Sequence, residues 1–340
     1  MPASASSPLS TALGVAELFL RQMANLLLAP GSPLSLASLA SALFIGSAVL
    51  FLRRSRRGRP LPIRLLMRAM FPKRLLWGPS IKADIGLCLF NLFVFGGLFG
   101  WAVLTYDHVR HWTEAGLSSA LGAPPHLAPA GIVTAGVATL ALFLACELGY
   151  WVDHASNHRI PFLWAFHKVH HSAEALTPLT NFRVHPVDGV KFANILALFM
   201  GVTGGVLGWL FADGAHQAAP FGRNLIILAF LFTTQHLQHS QLWIAFPGVW
   251  GRLFVSPAHH QIHHSSNPAH FDRNFGCFLA VWDWAFGTLY LPRMKREPIR
   301  FGGSELENPH SVSSTLLEPV VDGIRRLRGP AATAEAPARG

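Results

Sequence analysis

Five long apolar runs, at residues 34–52, 84–106, 131–152, 192–211 and 218–236, dominate this chain of 340 residues. About 20 mostly apolar residues in a helix cross the hydrocarbon of a bilayer, and a spanning segment must satisfy its own backbone polar groups there. The runs therefore predict an all-α, polytopic helical membrane protein with four to five transmembrane helices. The fifth run is the weakest, because Arg223 sits near one end. It can instead form a hairpin with the fourth that dips in and returns, and either way the C-terminus stays on the same side. The fourth run is rich in glycine, which predicts close helix contact. Composition agrees: 51% of residues are hydrophobic and 13% charged, against roughly 25% charged in a soluble domain.

Basic residues set the orientation. Between the first two runs lie Arg53, Arg54, Arg56, Arg57, Arg59, Arg64, Arg68, Lys73, Arg74 and Lys82, ten in all. The connections 107–130 and 212–223 hold only Arg110 and Arg223. By the positive-inside rule the 53–83 loop is cytoplasmic, the N-terminus is outside, and 153–191 and everything after 236 are cytoplasmic. The net charge of +10 belongs to loops facing anionic head groups and excludes a nucleic-acid partner, since the basic residues form blocks between apolar runs with no interleaved aromatic stripe. Residues 61–77 alternate apolar and basic side chains and read as an interfacial helix or a basic loop. Residues 1–30 lack a basic start, and Glu17 and Arg21 interrupt their apolar run, which argues against a cleavable signal peptide and for an amphipathic surface helix.

Cys88, Cys146 and Cys277 are widely spaced, which excludes a disulfide framework, a thiolate zinc site and an iron–sulfur cluster within the chain. Histidine carries the chemistry instead. Ten of the 18 histidines fall into four short boxes on the side assigned as cytoplasmic. They are His154 and His158; His167, His170 and His171; His236 and His239; and His260, His263 and His264. Spacings of three and four put side chains on one helix face, so each box can aim two or three imidazoles at one point. Ser256 and Pro257 form a helix-start signal before the fourth box. Imidazole suits Fe, Zn, Cu and Ni, and ten candidates exceed any single-metal site and match two metals. Glu147, Asp153 and Asp283 are the nearby acidic groups expected behind such ligands. His108, His111, His126, His216 and His310, in outer loops or the tail, read as structural; His185, His259 and His270 stay open. A metal transporter would place its ligands at mid-bilayer. Here the interiors of the runs carry almost no ionisable groups, which favours an enzyme acting on lipid at the membrane surface.

The run Trp164-Ala-Phe-His167-Lys-Val-His170-His171-Ser172, with Arg183-Val-His185-Pro186 after it, resembles the fatty acid hydroxylase/sterol desaturase superfamily. So do His260-Gln-Ile-His263-His264-Ser265, Asn274-Phe-Gly276 and Trp282-Asp283-Trp-Ala-Phe286-Gly287-Thr288. The resemblance covers about residues 130–292, and the chain departs from it at Ala155 and Gln241. It implies a cytoplasmic helical cap on the membrane helices, carrying a His-rich di-metal centre with two Fe per chain. It also implies O₂ as co-substrate and hydroxylation of a membrane lipid, fatty acyl chain or sterol, with desaturation as the alternative. The ten boxed histidines would be ligands; His185, Asn274 and Asp283 would orient them. Electrons would come from a separate reductase or small redox protein, since no flavin, haem or iron–sulfur motif is visible. On this reading residues 1–33 are an N-terminal segment, 34–292 the membrane and catalytic domain, and 293–340 a cytoplasmic tail that ends in a disordered 329–340. The Ala, Gly and Arg content suits a bacterial inner membrane.

Overall fold

Apolar runs bounded by caps and prolines become helices, and the computed structural model shows where each begins. It describes residues 8–32, 34–70, 77–127, 131–211, 224–303 and 305–328. The 212–223 connection, residues 71–76 of the interfacial stretch and the 329–340 tail lie outside the described residues. Among the described residues the β structure is a single antiparallel bridge, Phe254 to Leu279. The helices are α1 (Pro8–Leu28), α2 (Leu36–Ser55), α3 (Ile63–Met70), α4 (Pro79–Phe90), α5 (Tyr106–Leu121), α6 (Ile132–Arg159) and α7 (Pro161–His171). They continue as α8 (Pro186–Phe211), α9 (Leu225–Thr233), α10 (Gln235–Gln238), α11 (Gly248–Leu253), α12 (Pro257–His263), α13 (Val281–Ala285) and α14 (Val312–Leu327).

Four helical stretches among the described residues are long and apolar enough to cross a membrane: α2, Pro79–Leu121, α6 and α8, with mean hydropathies of 1.7 to 2.1. Their apolar side chains largely face outward; Ile132 is 91% exposed, Trp101 86% and Phe44 75%. In water such surface would be costly, and a bilayer removes the cost. The described part of the fifth run, from residue 224, carries α9, nine residues or roughly 14 Å, about half the hydrocarbon thickness. Its start is fixed: Asn224 Oδ1 accepts from Ile226 N and Ile227 N, and Asn224 Nδ2 donates to Thr139 O on α6.

The stretch Pro79–Leu121 is not one straight rod. α4 passes through a π-helical turn at Asn91–Phe95, and Asn91 Nδ2 donates to the carbonyls of Phe182 and Val184 at 3.1 and 3.0 Å. The chain breaks at 103–105 and restarts when Thr105 caps α5 through His108 N. Sequence hydropathy marks 107–130 as a connection, and α5 forms there because it has a partner: the glycine face of α8. A Cβ on Gly205 would stand 2.5 Å from Thr113 Cβ and 2.7 Å from Arg110 O, and one on Gly201 would stand 2.5 Å from Val109 Cβ. The segment read as a tail carries α14, which packs on α7 through Gly323 against Phe166 and Phe162 and through the Lys168–Asp322 ion pair at 2.5 Å.

Replacing Gly205 by Leu should cost about 1–3 kcal/mol by forcing α5 and α8 apart. Thermal unfolding in detergent should show the loss, while Gly136→Leu, at a position with nothing within 4 Å, should stay within about 0.5 kcal/mol of the parent.

Candidate metal centre

Proline punctuation brings the boxes together. α6 ends at Arg159, and Pro161 opens α7, the helix position where a missing N–H and a fixed φ are tolerated. The chain turns at Ile160, so His154 and His158 on the last two turns of α6 meet the histidines of α7. Ser256 and Pro257 start α12 in the same way: Ser256 Oγ accepts from His259 N, and His259 Nδ1 accepts from Ser256 N at 3.1 Å. His259 is thereby occupied as a capping residue.

Nine of the ten boxed histidines converge, in two groups: His154, His158, His167, His171 and His263; and His170, His239, His260 and His264. Within each group the candidate ligand nitrogens all lie within 4.8 Å of one another. Helix geometry explains the partition. Adjacent residues diverge by about 100° around a helix, whereas i and i+4 stack on one face. His167 and His171 therefore serve the first group while His170 turns to the second. His260 and His264 serve the second group while His263 turns to the first. The two His-x2-His-His boxes are reciprocal, each giving a pair to one group and a single ring to the other. They do not aim at one point, as spacing alone allows.

His236 is not brought into either group. Its Nε2 sits 2.9 Å from Ser38 Oγ on α2, because α10 ends at Gln238 and His239 leaves the helix at φ -93, ψ 57, so the two rings do not share a helix face. His239 Nε2 lies 2.9 Å from His260 Nε2, and His260 Nε2 lies 3.0 Å from His264 Nε2. In the first group His158 Nε2 lies 3.1 Å from His171 Nε2.

The other ring nitrogens are anchored so as to leave lone pairs facing inward. His154 Nδ1 donates to Phe275 O, His263 Nδ1 to Arg273 O and His167 Nδ1 to Asp188 Oδ2, each at 2.9 Å. The Nε2 atoms of all three are buried with no hydrogen-bond partner. Burial also holds His239 and His263 at about 3 and drives His170, His171, His260 and His264 well below the usual histidine range. These rings are neutral at pH 7 and available as ligands. Buried, neutral, unpartnered imidazole nitrogens in convergent sets fit a pair of transition-metal ions.

His185, Asn274 and Asp283 lie outside both groups; Asn274 and Asp283 stand behind the histidines, whereas His185 contacts Phe166 and the backbone at Leu316 and Val187. Asp283 accepts from Phe275 N and Gly276 N at 2.8 Å each, from Trp151 Nε1 at 3.1 Å and from Thr288 Oγ1 at 2.6 Å. Asn274, in the left-handed region at φ 59, accepts from Tyr290 N at 2.7 Å and donates to His259 O at 3.2 Å. Together they hold the loop whose carbonyls, Arg273 O and Phe275 O, orient His263 and His154. His185 Nε2 donates to Leu316 O of α14 at 3.0 Å. Glu147 accepts from Phe278 N and Leu279 N, and Asp153 pairs with Lys191. Sequence reasoning missed Asp188, the carboxylate that touches a boxed ring most closely, and Asn157, which donates to both Asp188 and Asp153. Their only sequence signal is place: Asp188 lies three residues after His185, and Asn157 one before His158. Asp272 Oδ1, 3.7 Å from His158 Nδ1, was missed as well.

Two cavities flank the histidines and share no lining residue. One, of about 290 Å³, lies between α6, α8 and α10 and meets His154, His167, His170, His239 and His260. The other, of about 280 Å³, meets His158, His171, His263 and His264 beside Trp164 and Phe271.

The profile of the fatty acid hydroxylase family matches residues 139–288, which contain every one of these histidines. That domain belongs to the fatty acid hydroxylase/sterol desaturase superfamily. Among curated superfamily proteins, alkylglycerol monooxygenase of Danio rerio is 30% identical over 146 residues, 43% of this chain and 29% of the relative. Ornithine lipid hydroxylase OlsE of Rhizobium tropici is 27% identical over 156 residues, 45% of this chain and 41% of the relative. Lathosterol oxidase of Mus musculus is 25% identical over 177 residues, 52% and 50% of the two chains. The matched segment spans only 26–31% of the length of the alkylglycerol monooxygenases. No solved structure matches the chain.

Metal titration of purified variants tests the partition. His239→Ala should lose one of two bound ions, His236→Ala should keep both, and Asp188→Asn should weaken retention against a chelator by about 10–100-fold.

Proposed function

We propose that this chain is an O₂-dependent di-iron lipid hydroxylase. The observation that carries the reading is the gathering of nine imidazoles, seven buried and two half-buried, into two groups beside a cavity walled by Tyr150, Phe182, Val184 and Phe192. His154, His158, His167, His171 and His263 would hold one iron, and His170, His239, His260 and His264 the other. Bound iron would supply the oxidising power needed to break an unactivated C–H bond with O₂. The balance requires two electrons and two protons from outside: the substrate gains one oxygen atom and the second leaves as water. The chain carries no reductant motif, so a separate redox partner on the basic cytoplasmic face is part of the proposal.

The protein's own contribution is positional. Asp188 and the carbonyls of Phe275 and Arg273 keep His167, His154 and His263 in the Nδ1–H tautomer, with Nε2 inward. The apolar walls admit a chain from the bilayer and keep bulk water from the target carbon. The boxes sit at helix ends and on the cap, not midway along a span, which supports an enzyme over a metal transporter. The ten basic residues between 53 and 83 support the cytoplasmic side for the centre, and the composition supports a bacterial inner membrane. Hydroxylation is preferred to desaturation because relatives named as monooxygenase or hydroxylase share 27–30% identity, against 25% for the sterol desaturase and oxidase.

Lipid extracts of cells with and without the chain, grown under ¹⁸O₂, provide the test. A lipid heavier by one ¹⁸O atom is expected, and a product lighter by two hydrogens would replace hydroxylase by desaturase. His170→Ala and His263→Ala should each lower the product at least a hundredfold while the protein still inserts; undiminished product in both variants would refute the ligand roles.

A further inference from the structure

The cavity between α6, α8 and α10 contains a polar feature that C–H oxidation by itself does not use. Asn181, in the turn Pro178–Phe182, and Gln235, at the start of α10, both stand in its wall. The direction of their hydrogen bonds is fixed from one end. Pro178 O can only accept, so Asn181 Nδ2 donates to it at 3.1 Å. Asn181 Oδ1 therefore accepts from Gln235 Nε2, at 3.4 Å. Gln235 Oε1 is what remains, buried and without a partner.

A buried amide oxygen left without a donor is destabilising. The cavity wall includes Phe182, Val184 and Phe192, whose side chains donate nothing, and no protein donor reaches Gln235 Oε1. A donor on whatever fills the cavity would satisfy it. Gln235 also precedes His239 by four residues, one helical turn or about 5 Å, so the donor it would meet lies close to the second histidine group. Fixed polar groups in a pocket wall are how a site selects among ligands of similar shape.

We propose that Gln235, aligned by Asn181, is a specificity-determining residue that accepts a hydrogen bond from a hydroxyl or N–H in the polar head of the lipid. The oxidised carbon then lies within a few bonds of that head group, and not at mid-chain of an acyl tail. This rests on the reading of the site as a lipid oxygenase, and it names the class of lipid and the region attacked.

The full chain is expressed under ¹⁸O₂, and the labelled lipid is fragmented by tandem mass spectrometry. The parent should place ¹⁸O in the head-group-proximal fragment of a lipid carrying a free hydroxyl or N–H. Gln235→Leu, similar in size but without the acceptor, should lower that product at least tenfold and keep the same bound metal per chain. Gln235→Glu, which keeps an acceptor oxygen, should retain product within about threefold. Label in the distal tail, unchanged product in Gln235→Leu, or equal loss in Gln235→Leu and Gln235→Glu with metal retained would each overturn the assignment. Absence of labelled lipid in the parent would remove the oxygenase reading itself, and this assignment with it.

Discussion

Packing nine imidazoles into two adjoining clusters is the constraint on which the rest of this structure depends. Each ring brings a nitrogen lone pair that must be satisfied, and the Nε2 atoms of His154, His167 and His263 find no protein donor. Nitrogens facing one another at 2.9 to 3.1 Å are tolerable only with a shared proton or cation between them. The surrounding fold serves that arrangement. Prolines end α6 and begin α7 and α12 at the positions that turn the boxes inward, and the Asp283-pinned loop supplies two carbonyls that lock tautomers. Imidazoles held this way would present a pre-set geometry to a metal ion.

The same logic reaches beyond the histidines. Arg183, fully buried, donates to Val169 O at 3.1 Å and Ser172 Oγ at 2.9 Å, satisfying the C-terminal end of the α7 helix that carries three of the rings. Its guanidinium also pairs with Asp84 Oδ1 on α4 at 2.8 Å and reaches the carbonyl of Pro309. A charge so deeply buried is tolerable only when fully paired. One residue thus ties the second box to a membrane helix on one side and to the segment before α14 on the other. Box geometry is in this way coupled to elements far away in sequence.

Much of this was legible in the sequence, and the rest was hidden for identifiable reasons. The runs at 34–52, 131–152 and 192–211 became α2, α6 and α8 because hydropathy and length alone decide a spanning helix. Ser256 and Pro257 marked the start of α12 because capping is local chemistry. A fifth run that dips in and returns was one of the two readings offered, but its start at Asn224 was not legible, since it depends on Asn224 reaching Thr139 on another helix. α5 was missed because its partner, the glycine face of α8, is a tertiary fact. The spacing of His236 and His239 fits a shared helix face, yet α10 ends at Gln238, so His239 leaves the helix while His236 stays on it and meets Ser38. The orienting groups were the hardest. Asp188 belongs to no box, and Phe275 O and Arg273 O are backbone atoms that no residue pattern announces.

Iron K-edge X-ray absorption on the purified chain, with metal and protein quantified in the same sample, bears most directly on the central claim. Two irons per chain, each showing imidazole multiple scattering from at least four nitrogen ligands, is the result this account requires. A single iron per chain, or two irons whose spectra lack imidazole scattering, would contradict it.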